Sequence, residues 1–166
     1  MEELLYAAAR GGRRDELVAL LDGGAPPDCR LSEAGLTPLH VAAANNQPRC
    51  VGALLERGAR ADLTSGAGLT ALAVACERGH AEVVELLVSS GASPTAGSRA
   101  PVLFAASLAE AACLRRLLHA KADPNTADGS GACALHVAAS ANRPKCIQEL
   151  LAGCARLGTP TARRTL

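Results

Sequence analysis

The chain is expected to fold as an all-α solenoid, a row of helix–turn–helix units stacked side by side and joined by finger-like loops. Three observations carry this. First, the tract Thr37-Pro38-Leu39-His40-Val41-Ala42-Ala43 returns in altered form as Leu4-Leu5-Tyr6-Ala7-Ala8-Ala9, Thr70-Ala71-Leu72-Ala73-Val74-Ala75-Cys76, Pro101-Val102-Leu103-Phe104-Ala105-Ala106 and Ala134-Leu135-His136-Val137-Ala138-Ala139. The residues that open the copies, Glu3, Thr37, Thr70, Ala100 and Cys133, are 34, 33, 30 and 33 positions apart, a period that marks stacked two-helix units. Second, 49% of the residues are apolar but only one is Phe, one is Tyr and none is Trp, so order must come from aliphatic and alanine packing between neighbouring units. Third, Gly or Asn punctuates every copy but the fourth where a helix has to stop.

In copy one, Glu2, Glu3, Arg13, Arg14, Asp15 and Glu16 supply the polar outer face that a terminal unit needs. In copies two and three, Thr37 and Thr70 stand where a helix begins, each hydroxyl placed to accept from an orphan backbone N–H. Pro38 takes the first helical position, where its missing donor costs little. Leu39, Ala42 and Ala43, like Leu72, Ala75 and Cys76, recur at three- and four-residue spacing and form the apolar stripe of a short first helix. Gly79 is suited to the left-handed turn that stops it, and Val83, Val84, Leu86 and Leu87 face a second helix inward until Gly91 ends it. Copies two and five share a variant turn in which Asn46 and Asn142 replace the glycine, and Pro48 and Pro144 open the second helix.

Copy four departs most. Ala100 replaces the capping Thr, Leu103 the His and Ala109 the turn Gly, while Lys121 falls where Gly58 and Gly91 end their helices; its finger is three residues short. A lost cap costs about 1 kcal/mol and a non-glycine residue in a left-handed turn about 1–2 kcal/mol, so this copy is expected to open first. Copy five keeps Ile147, Leu150 and Leu151 but has Ala152-Gly153-Cys154-Ala155 in place of a clean Gly-Ala ending. Its outer face is expected to be weakly capped, leaving the chain a monomer unless that face pairs. The expected organisation is one domain over 1–157, with copies at 1–31, 32–65, 66–95, 96–128 and 129–157, and a short disordered tail at 158–166.

Between Gly68 and Ala92 several spaced elements recur in order: Gly68-Leu69-Thr70, Leu72, Gly79-His80, Val83-Val84-Glu85-Leu86-Leu87 and Gly91-Ala92. With Thr37-Pro38-Leu39-His40-x-Ala42-Ala43 they resemble the ankyrin repeat family over nearly the whole chain. The resemblance implies an ankyrin-repeat solenoid. It also implies that His40 and His136 each tie a helix start to an adjacent loop, and that His80 is structural in the same way.

Other chemistry finds little support. Seventeen basic against sixteen acidic residues give a formal charge of +1, with no bulk attraction to nucleic acid or an anionic membrane. No apolar run is long enough to span a membrane, and Met1-Glu2-Glu3 lacks the basic start of a secretory signal; a soluble protein of the cytoplasm or nucleus is expected. Cys50, Cys113 and Cys146 share one repeat position, and Cys76 and Cys133 lie in or beside first-helix tracts. They are expected as small packing residues, since stacked helices lie about 8–10 Å apart and a disulfide needs Cα atoms within about 7 Å. Cys154 is the expected exposed thiol. No Cys-x-x-Cys pair occurs, and neither a Ser–His–Asp nor a Cys–His arrangement is assembled by the spacing. His119 reads as a helix-end residue favoured by the dipole, and the runs Ser65-Gly66-Ala67-Gly68 and Asp128-Gly129-Ser130-Gly131 as finger turns without a P-loop ending. No enzyme activity, metal, cofactor or small-molecule substrate is expected.

The family resemblance places function in the groove lined by finger tips and first helices. By register this selects Arg10; Leu36, Ala44 and Asn45; Leu69, Glu77 and Arg78; Arg99, Ser107 and Leu108; and Ala132, Ser140 and Ala141. Leu36 and Leu69 stand out: either they form an apolar strip flanked by Arg78 and Arg99, or they tuck against neighbouring fingers. The expected role is binding of a protein or peptide, as an adaptor, scaffold or inhibitor. The alternative is the substrate-recognition part of a cullin-type ubiquitin ligase, from the family branch that carries a SOCS box; fifteen residues after Leu151 leave no room for that box, so it requires a longer form.

Overall fold

The structure is a computed structural model and describes residues 1–30 and 34–157, with side chains as far as Gly153. The expectations for the 158–166 tail and for the Cys154 thiol fall outside what it describes. Ten α-helices occur among the described residues: α1 (Glu2–Gly11), α2 (Arg14–Asp22), α3 (Pro38–Ala44), α4 (Pro48–Glu56), α5 (Ala71–Arg78), α6 (Ala81–Ser89), α7 (Pro101–Ala106), α8 (Ala112–His119), α9 (Ala134–Ser140) and α10 (Pro144–Leu157). Each odd-numbered helix pairs with the even-numbered one that follows, then packs on the next odd-numbered helix; the even-numbered helices pack likewise on one another. The result is a two-layered all-α solenoid with one continuous core, built from Leu5, Leu17, Leu39, Leu54, Leu72, Leu87, Leu114, Leu117 and Leu150 among many alanines. Among the described residues the fingers bond to each other through Gly66 N to Ala34 O at 2.7 Å, Ser98 N to Gly68 O at 2.9 Å, and the Ser98 hydroxyl to the same strip of backbone.

Helix starts follow the threonines. Thr70 Oγ1 accepts from Ala73 N at 3.2 Å. Thr37 and His40 form a reciprocal capping box, the Thr37 amide donating to His40 Nδ1 at 3.2 Å. That bond puts the ring proton on Nε2, which donates to the carbonyl of Leu69 in the following finger at 2.8 Å. His40 thus ties a helix start to the next repeat. In copy one the same register position is Tyr6, whose hydroxyl reaches the carbonyl oxygens of Cys29 and Leu36. A tyrosine therefore takes over the histidine's task with a longer reach. At α7 the cap is absent, and Ala100 makes no side-chain bond to the helix.

Helix ends repeat as closely. After the second helices, paired bonds recur as Ala25 N to Leu20 O with Gly24 N to Leu21 O, Ala59 N to Leu54 O with Gly58 N to Leu55 O, Ala92 N to Leu87 O with Gly91 N to Val88 O, and Ala122 N to Leu117 O with Lys121 N to Leu118 O. This double bond closes a helix only if the residue before the alanine is left-handed. Gly24, Gly58 and Gly91 have φ of 91°, 83° and 89°, and Lys121 is forced to 62°. After the first helices, Gly12, Asn46, Gly79 and Asn142 are likewise left-handed. The expectation for Ala109 needs correction: it is not among the left-handed residues. Helix α7 stops at Ala106, Ser107 stays right-handed, and the chain reaches α8 through an open loop without the double bond. Copy four escapes the strain by giving up the turn.

Neighbouring repeats are also tied at the hairpin turns, where His80 Nε2 lies 3.3 Å from Ala44 O and Arg143 Nε donates to Ser107 O at 2.9 Å. Exposed ion pairs join the second helices: Arg57 with Asp22 at 3.0 Å, Arg115 with Glu149 at 2.8 Å, and Arg116 with Glu85. Each contributes little on its own. In copy five Leu135 is 36% and Leu151 48% exposed, whereas Leu39, at the register position of Leu135, is 1% exposed. No helix among the described residues is long and apolar enough to cross a membrane.

Candidate functional site

Copies three and four both lack the histidine, with Ala73 and Leu103 at its position. Leu103 stands where His40 reaches the next finger, and an aliphatic chain has no proton to donate to a finger carbonyl. Between the fingers of copies four and five lies a cavity of about 660 Å³. Its floor is Ala100, Leu103 and Phe104 from the start of α7, with Val137 from α9; its walls are Thr95 to Arg99 on one side and Thr126 to Ser130 on the other. Leu103, Phe104 and Val137 are half-buried and rest on the core, so the floor is fixed from below.

Two charged groups border this cavity, and they differ in how far they are already engaged. Asp128 Oδ1 accepts from Ser130 Oγ at 2.6 Å, Ser130 N at 2.8 Å and Ala132 N at 3.0 Å. These bonds, the Ser130 hydroxyl first, hold its carboxyl below the ordinary aspartate value, and the nearby Arg99 charge adds to them. Arg99 is exposed, and its guanidinium sits 5.7 Å from the centre of the Phe104 ring, within cation–π range. Among the described residues it forms no ion pair with a carboxylate.

Two other clefts are more self-satisfied. One, of about 480 Å³ between α6 and α8, is lined by Val88, Arg115, Arg116 and His119. Its arginines are held by Glu149 and Glu85. The other surrounds Arg13, Arg14 and Arg49, where Arg13 pairs with Glu16 and Arg14 with Asp15.

Of the positions selected from sequence, Arg99 and Ser107 line the cavity between the last two fingers. Arg10, Asn45, Glu77, Arg78 and Ser140 are exposed at the ends of their first helices, and Leu108, Ala132, Ala44 and Ala141 are half-buried. Leu36 and Leu69 are half-buried and stand outside the core cluster. Their carbonyls are the acceptors for Tyr6 and His40, so the backbone at both points is held down. Sequence reasoning missed Phe104, the most distinctive part of the floor. A signal was present: the position four after each anchor is Ala7, Val41, Val74 and Val137 in the other copies, and the chain's single Phe interrupts that series.

The thiols behave as packing groups with one exception. Cys50, Cys76, Cys113 and Cys146 are buried, and burial raises each above the ordinary thiol value, Cys76 most. The exception corrects the expectation that no Cys–His pair forms. Cys133 Sγ lies 3.1 Å from His136 Nδ1, because cysteine occupies the threonine's place in a second capping box. The pair closes a helix start as Thr37 and His40 do. No group of three or more potential metal ligands occurs among the described residues.

Comparison with known proteins agrees with this architecture. A family model described as "Ankyrin repeats (3 copies)" matches residues 4–98, and a second, "Ankyrin repeat", matches 130–161, leaving most of copy four between them. The chain is similar to human "Ankyrin repeat domain-containing protein 63", 37% identical over 150 residues, which cover 82% of this chain and 39% of that protein. The mouse protein of the same name is 40% identical over 136 residues, covering 74% of this chain and 34% of that one. Rice "Probable E3 ubiquitin-protein ligase XBOS32" is 38% identical over 122 residues, 70% of this chain and 24% of the ligase. The chain thus spans less than two fifths of the length of these relatives. With helix pairs, caps and turns recurring at the family's spacing, the chain belongs to the ankyrin repeat family and is a protein–protein interaction module.

Proposed function

We propose that the chain holds a protein or peptide partner in the groove between its fingers and first helices, acting as an adaptor, scaffold or inhibitor. The observation that carries this is the cavity of about 660 Å³ between the last two fingers, with a rigid apolar floor and polar walls. The exposed and half-buried positions from Arg10 through Leu36, Leu69 and Arg78 extend the same track toward the N-terminus. The free thiols among the described residues fit a reducing compartment, the cytoplasm or nucleus.

Leu103→His tests the reading, because it restores the donor that pins the next finger in copy two and so narrows the cavity. Peptides selected from a display library on the wild-type chain should lose binding to this variant and keep binding to Arg115→Gln, on the second-helix side. Binding that neither Leu103→His nor Phe104→Val on the cavity floor weakens overturns the groove. Leu36→Asp with Leu69→Asp then tells whether the track reaches copies two and three. A ligase-receptor role is the second reading, favoured by the likeness to the rice protein over 122 residues. It would show as cullin or ubiquitin-transfer components co-purifying with a longer form of the chain.

A further inference from the structure

We propose that the cavity between the last two fingers recognises a linear peptide in which a large apolar side chain stands next to a carboxylate, with Phe104 receiving the first and Arg99 the second. This rests on the groove reading and names its ligand class. The floor of Ala100, Leu103, Phe104 and Val137 is apolar and half-buried, so it gains by covering an aliphatic or aromatic side chain. The remaining lining is neutral hydroxyl and backbone, apart from two charges. Asp128 has one carboxylate oxygen filled by three donors from its own turn. Arg99 is near enough to Asp128 for the two charges to interact but forms no ion pair with a carboxylate among the described residues, and it is held over the Phe104 ring, so its donors are pre-positioned at the edge of the apolar floor. Asp128 keeps its negative charge but is engaged by its own turn, whereas Arg99 forms no ion pair, which leaves the guanidinium charge open to a carboxylate. An acidic residue beside the buried apolar one meets that charge, and a basic residue there faces Arg99.

Copies two, three and five offer no such pair. They have Val41, Val74 and Val137 in place of Phe104, and Leu36, Leu69 and Ala132 in place of Arg99. The recognition is therefore local to one step of the array.

The test uses the full chain and a display library whose peptides are fused at their C-termini, so that every carboxylate comes from an Asp or Glu side chain. Enriched peptides are remade and titrated against wild type, Arg99→Gln and Phe104→Val. The valine is a residue the fold already accepts at that position in three copies. Circular dichroism and melting confirm that both variants fold. Enrichment of an apolar–acidic pair is expected, with binding weakened about tenfold or more by Arg99→Gln. Replacing the peptide's acid by its amide should cost as much, and the two changes together no more than either alone. Peptides without an acid, or binding within twofold of wild type by Arg99→Gln, overturn the proposal. If Phe104→Val still abolishes binding in that case, the groove reading survives. Binding insensitive to Phe104→Val and Leu103→His, or no enrichment at all, overturns both.

Discussion

Lys121→Gly should stabilise the array. Four second helices end with the same pair of backbone bonds, and in three of them the left-handed residue is glycine. At the fourth, Lys121 is held at φ 62° with its side chain exposed, so nothing in its packing offsets the conformation. A non-glycine residue there costs about 1–2 kcal/mol. Glycine removes that cost but gives the unfolded chain about 0.4–1 kcal/mol more freedom. The balance is a gain of about 0.5–1 kcal/mol, or about 1–4 °C in melting temperature for a chain of this size. Thermal and urea unfolding followed by circular dichroism measure it, and hydrogen exchange at Leu117 to Ala122 locates it. Asn142→Gly is the control: it removes the same geometry from a residue that tolerates it, and should gain less. An unchanged or lower midpoint for Lys121→Gly would refute the reasoning, because the turn would then carry no strain for glycine to relieve.

Three further outcomes follow from the same inventory of ties. Copy four should exchange first: amides from Leu103 to Leu118 should be less protected than those from Leu72 to Leu87, since α7 lacks both a side-chain cap and the double bond at its end. Equal protection would sink this. The pH dependence of stability should carry the mark of His40, whose burial lowers its proton affinity, outweighing the favourable bond to Leu69 O. With the folded value below the unfolded one, stability is fully present above about pH 6.5 and declines as the pH falls below it, because the unfolded chain takes up the proton first. Urea midpoints between pH 7.5 and 5.5 should therefore fall for wild type and fall less for His40→Ala. Finally, Tyr6→Phe should cost about 1 kcal/mol by stranding finger carbonyls at Cys29 and Leu36, with faster exchange confined to copies one and two; a wild-type midpoint would mean that the hydroxyl bonds are not needed.

The fold was legible because each device that shapes it is local and repeats. Thr70 caps whatever follows it, and a glycine or asparagine nine residues after an anchor turns the chain wherever the helix before it runs full length. Ala109 shows the limit of that logic. Alignment assigned it the glycine's geometry, but the backbone had a less costly choice, ending α7 early and crossing to α8 in an open loop. Tyr6 shows another: its kinship with His40 lies in where its hydroxyl arrives, which letter-matching does not reveal. Cys133 is a third, since the proximity of its thiol to His136 comes from a capping geometry that only the helix start creates.

The candidate site was half legible for a related reason. Register selected Arg99 and Ser107, which line the cavity between the last two fingers, because finger and first-helix positions are fixed by the period. It did not place the cavity, whose floor holds the chain's single Phe beside Leu103 at the histidine position. The repeated residues of an array are constrained by stacking, so they are poor carriers of specificity. A unit that lacks a side-chain cap and a left-handed hairpin turn leans on its neighbours for order, and the cavity lies against it. In this chain the repeat expected to open first and the candidate binding site are thus one place. Restoring Leu103 to His should accordingly strengthen copy four and weaken binding together, a coupling that neither a purely structural defect nor a site elsewhere on the array would produce.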